Sequence, residues 1–338
     1  MVYGASGYTG RVAAEQAHAA GLPLVLGGRS RAPLIQLGDR LGADRRIFGL
    51  SDSDAIDDAL VDVFAVLNCA GPYMDTAEPL MRAAIRSGVH YLDIAAEVDS
   101  YRLAEELDGA AEAAGVMLLP GSGGSVAMLG CLAGHAATRV KRPRKVAIAL
   151  HVAGSMSRGS AISASRNLLA ETLVLQDGQV TQCPAGETAL FDFGHGEVPC
   201  FGVTLPDIIT IGRSTGIPDV ETYLHVSGNA FPEGDLTALP DGPDAAEREA
   251  NRYQAAVAIT AADGTIARSM LDTVNGYSFT PMAAAEAAGR VLAGEFRAGF
   301  QTPAGLFGSG FAETIADTRI FDFPLDRGGD DHATSGQA

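Results

Sequence analysis

The run Gly4-Ala5-Ser6-Gly7-Tyr8-Thr9-Gly10 constrains this chain more than any other stretch. It follows a short apolar stub, Val2-Tyr3, and opens a helical pattern over residues 9–20. Three glycines at this spacing between a strand and a helix share one physical rationale. One permits a tight turn, another lets backbone amides approach a pyrophosphate, and the third lets helix and strand pack closely. The helix start adds unpaired N–H groups and partial positive charge, which suit an anion. The loop is therefore read as a dinucleotide phosphate site built from Gly4, Ser6, Gly7, Tyr8, Thr9 and Gly10. Only three residues precede Gly4, whereas an ordinary strand has about five. Strand one is either unusually short or begins before the first residue.

Residues 1–120 alternate short apolar runs with helical patterns. Strands are expected at 24–26, 46–50, 63–68, 90–94 and 116–119. Helices are expected at 9–20, 32–41, 53–60, 78–87 and 98–114, with Ser53 as an N-cap and Gly88 and Gly115 as stops. This alternation predicts an α/β fold with a Rossmann-type, doubly wound parallel sheet. In such a sheet an acidic residue about 20 positions past the loop selects NAD by taking the ribose 2′-OH. This chain has Gly28-Arg29-Ser30 there instead. A guanidinium and a hydroxyl suit a 2′-phosphate, so Arg29 and Ser30 predict NADP. Strand four ends in Asn68-Cys69-Ala70-Gly71-Pro72-Tyr73. Ala70, Gly71 and Pro72 would let the chain pass beneath the nicotinamide ribose, and Asn68 would hydrogen-bond it.

Beyond Pro120 a Gly-rich turn precedes a helix running to about 138, and the pattern changes after Lys141. A strand is expected at 146–152, a helix at 160–175 and a hairpin turn at Asp177-Gly178. Strands at 188–193, 198–203 and 220–226 and helices at 245–262 and 282–292 complete an α+β second domain. The expected division is a nucleotide domain at 1–140 and an α+β substrate and dimerisation domain at 141–280. A segment at 281–325 returns to the first domain, and a disordered polar tail occupies 326–338. No internal repeat is visible.

Charge narrows the partners. With 24 basic and 41 acidic residues the net charge is −17, a field that repels nucleic-acid phosphates and anionic lipid surfaces. The basic run at 139–145 reads as a solvated connector near a helix C-terminus. The four cysteines are scattered, with no CxxC and no paired histidines, so neither a disulfide framework nor a metal site is expected. No signal peptide opens the chain, and the longest apolar run, 126–137, is too short to cross a bilayer. A cytoplasmic protein acting on a small molecule, with no integral membrane segment and with a homodimer as the assembly to test, is the expectation. Hydrophobic residues make up 47% but aromatics only 6%, with no Trp, so the core must be built from Ala, Val, Leu and Ile.

These motifs carry a family resemblance. The glycine loop, Gly28-Arg29-Ser30, residues 68–73 and His90-Tyr91-Leu92-Asp93-Ile94-Ala95-Ala96-Glu97 resemble the saccharopine dehydrogenase-like (saccharopine reductase-like) family. The branch of trans-acting enoyl reductases looks closest. The likeness continues in order through residues 157–160, 192–197, 214–218 and 299–308. It implies an NADP-binding Rossmann domain followed by an α/β domain, with the C-terminal part folding back on the first. Relatives commonly read Pro-Gly-x-Gly-Phe-Asp-x-x-Pro-x-Asp after strand six. Here the stretch from Pro120 to Gly130 lacks both acids, the Phe and the second Pro, and Ala96 replaces the usual Gly. These departures flank the expected substrate cleft and bear on the chemistry more than on the cofactor.

A hydride-transfer enzyme needs a proton donor or acceptor near the reacting carbon. Lys141 and Lys145 are the only lysines, and neither follows a Tyr by four positions, so the short-chain dehydrogenase pair is absent. The loop also resembles that of semialdehyde dehydrogenases and N-acetyl-glutamyl-phosphate reductases, which need a thiolate. Cys131 sits in the corresponding region among apolar neighbours and reads as a packed residue. The catalytic candidates are Tyr73 and Glu97, above strands four and five, and Arg158, which would clamp a substrate carboxylate. Asp93 is a further candidate, or else a strand end that only caps or holds a loop, and His195 reads as structural. The function expected is an NADP(H)-dependent oxidoreductase acting on a small carbonyl, imine or enoyl substrate in an interdomain cleft. The alternative is a non-catalytic NADP-binding accessory or sensor protein.

Overall fold

The structure, a computed structural model, describes residues 1–166, 171–184, 186–228 and 235–327. Its first half builds a parallel sheet from β1 (Val2–Tyr3), β2 (Val25–Gly28), β3 (Asp44–Ile47), β4 (Ala65–Asn68), β5 (His90–Asp93) and β6 (Met117–Leu119). They lie in the order β3-β2-β1-β4-β5-β6, every neighbour parallel. The two residues of β1 are buried and pair with Leu26–Gly27 on one side and Leu67–Asn68 on the other. Sheets covered on both faces need apolar runs rather than alternation, which is why β4 reads Ala-Val-Leu-Asn.

The connecting helices are α1 (Tyr8–Ala19), α2 (Arg31–Leu41), α3 (Ser53–Leu60), α4 (Tyr73–Ser87), α5 (Val98–Glu106) and α6 (Asp108–Ala113). Three local expectations need correction. The α3 cap is Asp52, not Ser53: its carboxylate accepts the amides of Asp54 (3.0 Å) and Ala55 (3.3 Å). The helix expected from 78 starts at Tyr73 and runs through Pro79, because burial of Tyr73, Ala77, Leu80, Met81 and Ala84 outweighs one lost amide donor. The single helix expected at 98–114 breaks at Leu107 into two.

The second layer is a nine-stranded mixed sheet. It comprises β7 (Pro143–Ala153), β8 (Glu171–Gln176), β9 (Gln179–Pro184), β10 (Thr188–Asp192), β11 (Glu197–Gly202), β12 (Asp219–Ser227), β13 (Tyr253–Ala261) and β14 (Ile266–Thr273). A last strand, described below, forms its edge. Helices α7 (Gly124–Ala137), α8 (Arg158–Arg166), α9 (Asp207–Thr215), α10 (Ala245–Ala250) and α11 (Gly276–Leu292) are interleaved. The hairpin at Asp177-Gly178 forms as expected, both residues at positive φ (48° and 76°) between paired β8 and β9. Two helix expectations fail. The one at 160–175 gives α8 and then the strand β8, and the one at 245–262 gives α10 and then β13. The Ala-rich β13 has helical propensity, but it lies between β7 and β14, where pairing on both sides overrides it.

The chain then returns to the first sheet. β15 (Gly299–Phe300) pairs parallel with Met117–Leu118 of β6, and α12 (Pro303–Phe307) follows. β16 (Arg319–Asp322) goes back to the second sheet beside β14. Asp326, the first residue of the expected disordered tail, bridges Ile266, and residues 328–338 lie outside the described residues. One core spans both sheets. At its centre α7 buries Val126, Met128, Leu129, Cys131 and Leu132 against β13, β14, α9 and α11. A helix enclosed on every side is apolar on every side, and the lack of a hydrophobic stripe in its sequence follows. Alanines on α1 (Ala13, Ala14, Ala17) and α11 (Ala283, Ala284, Ala287) are buried where the two helices pack, consistent with a core poor in aromatics. Between the carboxyl ends of the first sheet and one face of the second, a cleft of about 770 Å³ is left.

Candidate functional site

The glycine loop lies along this cleft. Gly4 takes φ +79°, and its amide donates to Gly27 O at 2.9 Å. Its carbonyl accepts the Gly7 amide at 2.9 Å, and Gly7 starts α1 with no side chain capping the first amides. A Cβ on Gly4 would lie 2.8 Å from Ala70 N. On Gly10 it would lie 2.2 Å from Gly4 O. Bare backbone is therefore required for the loop to close against both β4 and α1, and a first helical turn with no side-chain cap suits an anion. Gly4, Ser6, Gly7, Tyr8 and Thr9 line the cleft. Gly10 does not; it is buried and allows the close packing of α1.

Arg29 and Ser30 line the same cleft past the end of β2, both exposed. Ser30 starts α2 without a side-chain cap bond, and among the described residues no carboxylate is ion-paired with Arg29. Ala70 and Gly71 also line it, as does Cys69. Asn68 and Pro72 do not, contrary to the expectation that they touch cofactor. Asn68 is fully buried: its amide donates to Thr76 Oγ1 and Tyr91 Oη (3.2 Å each), and its carbonyl oxygen accepts Ala70 N (3.0 Å). Its role is to shape the turn, while Pro72 sits at the start of α4. Burial pushes the thiol of Cys69 up to about 12, and that of Cys131, away from the cleft, to about 12 as well, which disfavours a thiolate at either.

Tyr73 and Glu97 meet in the cleft, as their strand ends predict. Glu97 Oε2 accepts the Ala96 amide at 3.0 Å and Oε1 the Tyr73 amide at 3.5 Å. Both residues are buried. Burial, with Cys69, Asp93 and Glu97 nearby, holds the Tyr73 phenol well above its ordinary value. Asp93 lies beneath, accepting from Tyr91 Oη (2.8 Å), Ala95 N (3.0 Å) and Gly121 N (2.8 Å). It ties the turn after β5 to the turn after β6, which is the loop-holding one of its two readings. Arg158 opens α8 at the cleft but is engaged by the Asp241 carboxylate and by Leu239 O at 3.3 Å. It is not an open carboxylate clamp. His195 is exposed in the β10–β11 turn, away from the cleft.

Several lining residues escaped the sequence reading. Tyr277 Oη accepts Ser157 N at 2.7 Å, and both face the cleft. A strap at 239–248 crosses the glycine loop: Tyr8 Oη donates to Pro243 O (2.6 Å), and Arg248 donates to Tyr8 Oη (2.7 Å) and to Pro243 O (2.8 Å). The Pro240-Asp241-Gly242-Pro243 run announces a turn, but nothing local says where it docks. Among the described residues no group of three or more His, Cys, Asp or Glu could hold a metal, and no helix is long and apolar enough to cross a membrane.

Known proteins resemble this chain in part of its sequence and in its fold. Residues 1–119 match the family model of the saccharopine dehydrogenase NADP-binding domain. Saccharopine dehydrogenase-like oxidoreductases of Bos taurus and Homo sapiens are each 33% identical over 116 residues, which is 29% of this chain and 27% of theirs. The chain thus matches about a quarter of the length of those relatives. The apo saccharopine dehydrogenase (L-Glu forming) of Saccharomyces cerevisiae covers 95% of this chain and 99% of its own with a TM-score of 0.62. At 13% identity that likeness concerns the fold. Residues 1–119 are thus similar to the saccharopine dehydrogenase NADP-binding domain, and NADP is the cofactor which that family's description names.

Proposed function

We propose that the protein is an NADP(H)-dependent oxidoreductase acting on a small carbonyl, imine or enoyl substrate held between the two sheets. The observation that carries this reading is that the glycine loop and the buried carboxylate of Glu97 open on one cleft, at the carboxyl ends of the parallel strands. Gly4, Ser6, Gly7, Tyr8 and Thr9 would hold the diphosphate, Arg29 and Ser30 the 2′-phosphate, and Ala70 and Gly71 the nicotinamide end. When bound, the cofactor supplies or accepts two electrons as hydride. Tyr73 keeps its proton through the neutral range and can donate a hydrogen bond to the substrate oxygen or nitrogen. Glu97 gives that atom, or the α-carbon of an enoyl substrate, its proton on reduction or takes it on oxidation. Residues 141–280 supply the opposite wall. The four cysteines are free, which suits a reducing compartment such as the cytoplasm.

A second reading, a cofactor-binding accessory or sensor, is favoured by one detail. Both Glu97 oxygens face backbone amides, as a purely structural carboxylate would. A titration of NADPH fluorescence, followed by a panel of imines, enoyl thioesters, aldehydes and quinones at the NADPH absorbance, separates the two. Turnover is expected, with Glu97→Gln slowing it about 10²–10⁴-fold while NADPH binding is kept. Undiminished turnover in Glu97→Gln removes Glu97 from the chemistry. NADPH binding without turnover on any panel member establishes the accessory reading.

A further inference from the structure

Within the oxidoreductase reading, the wall facing the glycine loop carries information about what the cleft accepts. Leu150 and Val152 lie two residues apart on β7, so they share one face of the second sheet. Leu224 of β12 pairs with Leu150, and Tyr253 begins the neighbouring β13. All four line the cleft, joined by Met128 of α7 and by Leu205. Ser125, Thr204, Tyr277 and Thr280 add hydroxyls to the lining but no charge, so a charged substrate group laid on this surface would lose water and meet no ion partner, a cost of several kcal/mol.

The charges lining the cleft point the same way. Among the described lining residues the cations are Arg29 and Arg158, and the carboxylates are Glu97 and Asp241. Arg29 stands past β2, on the cofactor's side of the sheet. Glu97 is buried where an incoming carboxylate would meet it and offers it no cation. Arg158 is the cation near the second sheet, and Asp241 already occupies it. Both partners are well exposed, at 43% and 69% of their side chains. An exposed pair contributes little to stability, so its place at the cleft calls for another account. A substrate carboxylate would have to displace a tethered one, whose effective concentration is on the order of millimolar.

We infer that the cleft selects a neutral, largely apolar substrate and that Asp241 is the specificity residue that turns carboxylates away from Arg158. The inference rests on the oxidoreductase reading for the location of the substrate but is tested without turnover. Calorimetry on the full chain saturated with NADP uses 2-octanone as the apolar probe and 2-oxoglutarate as the carboxylate probe. The wild type is expected to bind 2-octanone and to bind 2-oxoglutarate about threefold to fivefold more weakly than Asp241→Asn does. Adding Arg158→Gln to Asp241→Asn should abolish that gain, while 2-octanone affinity stays within about twofold throughout. If the wild type and Asp241→Asn bind 2-oxoglutarate equally, or 2-octanone does not bind while 2-oxoglutarate does, the inference is overturned. The NADPH titration runs alongside: a wild type that does not bind NADPH sinks the oxidoreductase reading instead. Asp241 is exposed, and an unchanged melting temperature confirms that its variant is folded.

Discussion

Asp93 and Asp207 are both fully buried, and their surroundings differ sharply. Three donors satisfy Asp93, whereas neither carboxylate oxygen of Asp207 meets another residue's donor among the described residues. Burial pushes both carboxyls up, to about 6 and about 7 from an ordinary 3.8. The folded state therefore holds protons that the unfolded chain has released. This stabilising contribution is full below about pH 4, declines as pH rises, and is lost above about pH 7. Asp207→Asn should flatten that slope and raise stability at pH 8 by a few kcal/mol, measured by urea unfolding at pH 5, 7 and 8. An unchanged slope would mean that Asp207 is ionised and solvated. Residues whose type is forced locally were legible: Gly4 and Gly10 admit no side chain. Asn68 was misjudged because a residue at the end of β4 can face the ligand or the core, and only packing decides. The engagement of Arg158 by Asp241, 83 positions away, leaves no local trace.

Elements with a strong period or a strong boundary were readable, and those placed by their neighbours were not. The alternation through β6 gave the parallel sheet because each buried strand is bracketed by turn residues and an amphipathic helix. β13 was missed because Ala-rich runs favour helices until two partner strands claim them. Boundaries drifted where two capping residues compete, as at Asp52-Ser53. The geometry makes Asp52 the cap, so Asp52→Ala should cost about 1 kcal/mol and Ser53→Ala only a few tenths. Urea midpoints of the two variants decide it, and the reverse ranking would restore Ser53. β15 and β16, two and four residues long, are too short to announce themselves by any period.

At the scale of the molecule, the two sheets meet over the cofactor loop, and the strap at 239–248 is fastened across it through Tyr8 and Arg248. Arg248→Ala removes one fastening without touching the glycines. It should speed NADPH release several-fold in a stopped-flow chase, and an unchanged release rate would mean that the strap does not gate exit. The return of the chain to the first sheet also has a consequence for biosynthesis. Met117 and Leu118 are completely covered once Gly299 and Phe300 have paired with β6. A ribosome, however, makes β6 long before it makes β15. Through most of translation the nucleotide-binding half carries an open, apolar strand edge, the kind that recruits other strands. The emerging chain must keep that edge from other strands until Gly299 and Phe300 arrive, and a protein cut short before Gly299 is left with a permanently sticky flank.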